Sequence, residues 1–245
     1  LASTEYMTLV NRVLRRLNEV EIVQADFAST RGVHSLAKDA VNTAINEINL
    51  MEFEWPFNSA AGSQVLTAGT EEYSFPATLK VIKWDSFHLT ADDALSASGH
   101  PIKFISRDQW HKYLKNDDDI AGAAGLNEPV YVFEKLGFGF GLSPSPDAAY
   151  TVTFDYFIEP VELSAYNDTS TIYSSYDEAI IQGALAIMYM HRDNDSQAAS
   201  ADKKFKAITG RMRTILINKD DRVRSTMIIQ RKASGGIISN DYFRY

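Results

Sequence analysis

The chain has 245 residues, 45% of them hydrophobic and including 13 Phe, 12 Tyr and 3 Trp, enough to bury a core in one large domain or two small ones. It has no cysteine, which excludes a disulfide framework, thiolate zinc ligation and thiol catalysis; no apolar run approaches the ~20 residues of a membrane span, and no signal-peptide pattern is read at its start. Its net charge of −8 speaks against a surface that binds nucleic acid throughout.

Met7, Val10, Val13, Leu14 and Leu17 share one stripe at helical spacing and predict a first helix, with Ser3 or Thr4 as its cap. A second helix is predicted from Val33, Leu36, Ala37, Ala40, Val41, Ala44, Ile45 and Ile48, with Asn42, Asn46 and Asn49 on the opposite side. It ends before Trp55-Pro56, because the proline restricts Trp55 to extended angles. These two helices are expected to pack as a pair.

From about Asn58 to Glu162 the pattern is that of strands. Alternation predicts strands over Val81–Leu89 and Tyr150–Ile158, with shorter ones at Glu72–Phe75, Val130–Glu134 and Phe138–Leu142, and a turn at Ser143-Pro144-Ser145-Pro146-Asp147. Ser106 with Gln109 forms a capping box ahead of a short helix at Trp110–Leu114. Ser175 with Glu178 reads as a second box, leading into Ile180, Ile181, Ala184, Leu185 and Met188. His191–Asp195 breaks that run, and a fourth main helix carries Ala201, Phe205, Ile208, Met212 and Ile215 on one face. The expected fold is α+β: a four-helix domain formed by both chain ends (1–57 and 171–219), an inserted antiparallel β domain (58–170) and an extended C-terminal arm (220–245).

Few residues suggest chemistry. Asp117, Asp119, Gly122 and Glu128 fall at positions 1, 3, 6 and 12 of a calcium loop. Position 5 is Ala121 and the exit reads as a strand, so a solvated acidic loop without metal is expected. Gly137, Gly139 and Gly141 alternate with Phe138 and Phe140 inside a strand pattern; phosphate loops place glycines at a strand-to-helix turn, so no nucleotide or other cofactor is expected. His34, His88, His100, His111 and His191 share no metal-ligand spacing, Asp108 and His111 read as a surface pair, and no serine sits in a nucleophile elbow. No enzymatic activity is expected.

Charge is unevenly placed. Residues 203–245 hold 11 Lys and Arg against 3 Asp, whereas residues 1–202 hold 13 basic and 29 acidic side chains. An acidic body with a basic end suggests docking onto something acidic or onto a neighbouring copy. In the tail, Arg222, Arg224, Arg231 and Lys232 are interleaved with Ile228, Ile229, Ile237, Ile238, Tyr242, Phe243 and Tyr245, and Gly235-Gly236 offers a hinge. Basic side chains alone fit a nucleic-acid-binding protein; the aliphatic pairs fit a protein-docking arm better.

The sequence resembles the head–tail adaptor proteins of tailed bacteriophages, in particular the tail tubular protein A type. The resemblance is carried by Leu9-Val10-Asn11-Arg12-Val13-Leu14, Ala37–Ile45 leading to Glu54-Trp55-Pro56-Phe57, Leu142–Pro146, Glu159-Pro160-Val161-Glu162-Leu163 and Glu178–Leu185. It spans roughly residues 6–215; the tail beyond Asp220 matches nothing in it. The resemblance implies a virion structural protein with no catalytic role, assembled in the host cytoplasm. It would form a ring, commonly of twelve copies, in the neck between the portal protein of the capsid and the tail nozzle or tail-tube protein. Viral DNA would pass through it, and no membrane is involved.

Overall fold

The computed structural model describes residues 3–90, 99–115 and 125–217. The first apolar stripe forms α1, Tyr6–Arg16, with Tyr6, Leu9, Val10, Val13 and Leu14 buried. Neither Ser3 nor Thr4 caps it. The first two free N–H groups, on Tyr6 and Met7, instead donate to the backbone carbonyls of Asp168 and Tyr166 at 2.8 and 3.1 Å. The second stripe forms α2, Val33–Met51. Asn49, expected on the outer face, is buried because it lies one turn beyond Ile45, and its Nδ2 donates to the Ile45 carbonyl at 2.9 Å, so the amide is satisfied within the helix.

The strands that follow are β1 (Ser59–Val65), β2 (Glu72–Ser74), β3 (Leu79–Ile82), β4 (His88–Leu89), β5 (His100–Pro101), β6 (Lys103–Phe104), β7 (Tyr131–Glu134), β8 (Gly139–Ser143) and β9 (Thr151–Ile158). One sheet has the order β1–β9–β4–β5, with β3 also on β9, and the other the order β2–β8–β7–β6. Pairing is antiparallel except for the short β6–β7 pair. The stretch expected to be one strand over Val81–Leu89 is two. Six steps of chain from Ile82 to His88 face only three from Tyr156 to Thr153, so the surplus loops out as a 3-10 turn at Trp84–Ser86. The turn is stitched to β9: Ser86 Oγ accepts from Asp155 N–H at 2.8 Å, and Lys83 N–H donates to the Asp155 carbonyl at 3.1 Å.

Phe87, Phe140 and Phe154 are buried between the strands, Phe87 stacked on Phe154 at 5.1 Å and edge-on to Phe140 at 5.2 Å. Each such ring contributes roughly 1.5–3 kcal/mol by burial. Gly139 permits the β2–β8 contact, since a Cβ there would overlap the Tyr73 carbonyl oxygen. The helix of this region, α3 (Arg107–Tyr113), starts at the expected capping box: Ser106 Oγ accepts from Gln109 N–H (3.3 Å), and Gln109 Oε1 accepts from Ser106 N–H (3.2 Å).

Two helices complete the described chain, α4 (Asp177–His191) and α5 (Asp195–Leu216). The Ser175–Glu178 box does not form. Residues 174–176 make a 3-10 turn, Tyr176 precedes α4 without a side-chain cap, and the Glu178 carboxylate is taken by Arg16. Apolar on nearly every face, α4 is buried on nearly every face, against α1, α2 and α5. The break before α5 is built by Asp193 in the left-handed region (φ 53°) and by Asn194, whose side chain accepts from Gln197 N–H. Along α5, Ala198, Ala201, Phe205, Thr209 and Met212 are buried, but Ile215 is 52% exposed because 22 residues of α5 outrun the 15 of α4. The chain divides into two compact units, one joining the stretch that ends at Met51 to the stretch that starts at Glu162, the other formed by Glu52–Val161. No helix among the described residues is long and apolar enough to cross a membrane.

Candidate docking surface

Two chain stretches distant in sequence are tied together by charge. Asp177, at the start of α4 and nearly buried, accepts from Arg12 Nη1 at 2.7 Å and from Thr4 Oγ1 at 2.6 Å. Two donors on one buried carboxylate compensate its lost hydration. Arg16 grips Glu178 with both terminal nitrogens, at 2.7 and 2.8 Å, and holds that carboxyl below its usual range. At the other end of α4, Arg192 pairs with Glu19. Tyr6 is pushed up by burial and donates to the Lys38 carbonyl at 2.9 Å.

Between α4, α5 and the side of α2 lies an open groove of about 360 Å³. It exists because the facing side chains are small: Gly183 and Ala186 on α4, Ala198 and Ala199 on α5. Ile187, Met190 and Phe205 add apolar wall, and Met190 is 58% exposed. The charged side chains on the lining are all acidic, Glu47, Asp195 and Asp202. Asp202 meets Lys206 at 2.7 Å in an exposed pair one turn apart, the kind worth only ~0.3–0.5 kcal/mol and readily exchanged. Such a surface can hold an apolar knob flanked by cations.

The β unit presents a smaller apolar tip. Leu136 (76% exposed) and Phe138 (52%) flank Gly137, whose φ of +98° turns the chain between β7 and β8. Its perturbed groups have structural partners: Tyr150, which donates to Asp147 at 2.6 Å, is pushed up to about 12 by that bond first and by burial second.

The sequence-predicted docking residues Arg222, Arg224, Ile228, Ile229, Arg231, Lys232, Ile237, Ile238, Tyr242, Phe243 and Tyr245 lie outside the described residues, as do Asp117, Asp119 and Gly122 of the acidic loop. Of that loop's ligand set only Glu128 is described, 3.3 Å from His100 Nδ1. His34 contacts the Val20 carbonyl, and His111 lies against the Trp110 ring at 4.7 Å. Sequence reasoning missed the groove, although its signal was present: Gly183 and Ala186 one turn apart on α4, and the pair Ala198-Ala199 on α5 with Asp195 and Asp202 on either side.

No curated protein matches the chain. The model of the SU10 adaptor protein family matches residues 4–231. That span takes in α1 to α5, β1 to β9 and the first part of the basic tail. The tail beyond Asp220, expected to have no counterpart, therefore has one as far as Arg231: Arg222, Arg224, Ile228, Ile229 and Arg231 fall inside the match. With 228 residues matched, end to end through both compact units, the chain belongs to the SU10 adaptor protein family of bacteriophage structural adaptors.

Proposed function

We propose that the protein is a ring-forming adaptor of the tail tubular protein A type. In this reading twelve copies sit in the virion neck, between the portal and the tail nozzle or tail tube, and viral DNA passes through the ring. The observation that carries the reading is the adaptor-family match over residues 4–231. The helical domain (1–57 and 171–219) is the body of the ring and the β domain (58–170) an inserted module. Segment 220–245 is the arm that attaches to the portal or to a neighbouring copy. The charge distribution supports this division of labour. Residues 1–202, with 29 acidic against 13 basic side chains, suit a channel wall that repels phosphates and lets DNA slide. The basic, aliphatic tail suits attachment. The protein acts by holding partners together and not by catalysis.

Deleting residues 226–245 tests the arm. The truncated protein is expected to keep its melting temperature and to fail to decorate portals. Normal decoration would show that the arm is not the attachment device, and unfolding would show that it belongs to the core. The same basic tail also motivates the rival reading, a nucleic-acid-binding protein. A gel shift by the intact chain that weakens steeply with salt and vanishes on deletion would favour that rival.

A further inference from the structure

We propose that segment 224–231 of one copy seats in the groove between α4 and α5 of the neighbouring copy, and that this contact joins the subunits of the ring. The proposal rests on the arm reading above and names the surface the arm meets.

The argument starts from a match of spacing. On α5, Asp195, Ala198, Ala199 and Asp202 stand at i, i+3, i+4 and i+7, which places two carboxylates on one helix face, about 10 Å apart, with two methyl groups between them. All four line the groove. In the tail, Arg224, Met227, Ile228 and Arg231 stand at the same intervals: two guanidiniums with two long aliphatic side chains between them. Each set is the complement of the other, small opposite large and acid opposite base. In the proposed docking Met227 and Ile228 meet Ala198 and Ala199, and each arginine meets an aspartate. Glu47, on the α2 side, adds a third carboxylate to the rim, and no cation other than Lys206 is paired with these three acids among the described residues. At about 360 Å³ the groove is at the small end of binding-pocket sizes, enough for two or three aliphatic side chains.

Chain length decides between the groove of the same copy and that of the next. From Leu216, where α5 ends, back to Asp202 is about 21 Å along the helix axis. Eight residue steps separate Leu216 from Arg224, at most about 26 Å fully extended. A return to its own groove would spend three or four of those steps on a turn, which Asn218, Asp220 or Asp221 could make, and would leave only about 15 Å of extended chain to cover that distance. A knob on one end of the molecule and a groove on another face is a heterologous contact, the kind that closes into rings.

Because the chain has no cysteine, a pair of introduced thiols reports the contact without background. Full-length A199C is mixed with full-length I228C and treated with a short bismaleimide; the expected product is a covalent dimer of chains. A199C/I228C in one chain, used without dilution, is expected to link chain to chain and not within itself. Intrachain linkage alone, linkage of I228C to added portal in preference to A199C, or no linkage at all would each overturn the proposal. A second measurement uses charge: D195K/D202K should raise the concentration needed for ring formation about tenfold or more, and adding R224D/R231D in the same chain should restore it. Loss without restoration overturns the proposal. Rings that form and stack on portals while the crosslink is absent refute this contact alone; a protein that forms no ring at any concentration refutes the adaptor reading as well.

Discussion

Alanine at position 183 adds one methyl group where three helices meet. Its Cβ would stand 2.9 Å from the Ala44 Cβ on α2 and 3.1 and 3.2 Å from two ring carbons of Phe205 on α5. Comfortable carbon contacts lie at about 3.5–4.0 Å, so Ala44 must withdraw by roughly 0.6 Å or more. Ala44 has no side-chain torsion with which to do so and is fully buried, so α2 itself must move. Overpacking of this kind costs about 1–3 kcal/mol, while replacing glycine in a helix interior gains about 1 kcal/mol. The net expectation for Gly183→Ala is a loss of about 1 kcal/mol, or a melting temperature ~2–4 °C lower. In an Ala44→Gly background the shortest contact is gone and the Phe205 ring has room to turn. Gly183→Ala should there become stabilising by about the helix-propensity gain, a coupling of about 2 kcal/mol. Urea unfolding of the four chains, followed by helical circular dichroism, measures this cycle. Effects that add within about 0.5 kcal/mol would falsify the close α2–α4 crossing.

Ile45→Asp places an unpaired charge against α4 and should abolish hydrogen-exchange protection across residues 180–215; retained protection there would show that the two chain stretches do not share a core. Glu178 is held low by Arg16 first, so its contribution is present above the unfolded carboxyl range and lost as pH falls through the depressed folded value. Arg16→Ala should therefore flatten the fall in melting temperature with acidification, modestly, because the pair is partly exposed, and an unchanged acid limb would contradict the pairing. Gly139→Ala should cost about 2 kcal/mol or more and loosen β2 from β8, seen as faster amide exchange at Phe140 and Leu142, with α4 unaffected. A β unit of unchanged stability would mean that the strands approach less closely than described.

The main helices were legible because their buried residues recur at 3.6-residue spacing, a local property that survives assembly. What failed was whatever depended on a partner. β1, with Ala60-Ala61-Gly62-Ser63-Gln64, carries no strand signal of its own and is a strand because β9 pairs with it from end to end. The alternation over Val81–Leu89 holds for the strand ends only, because the register that turns Trp84–Ser86 out between them is set by β9, far along the chain. Glu178 satisfied the pattern of a capping box, yet a guanidinium from α1 competes better for its carboxylate than a backbone N–H does. The groove was legible only in part. The spacing Asp195, Ala198, Ala199, Asp202 is plain in the sequence, but nothing local says that α4 leaves that face open.

The adaptor reading meets its most direct test in one electron micrograph of the purified protein mixed with the portal of the same virus. The account predicts closed rings of about twelve copies stacked coaxially on the portal, with an open channel through both. Portals that remain bare beside dispersed single copies, at concentrations well above those of assembly in an infected cell, would contradict it.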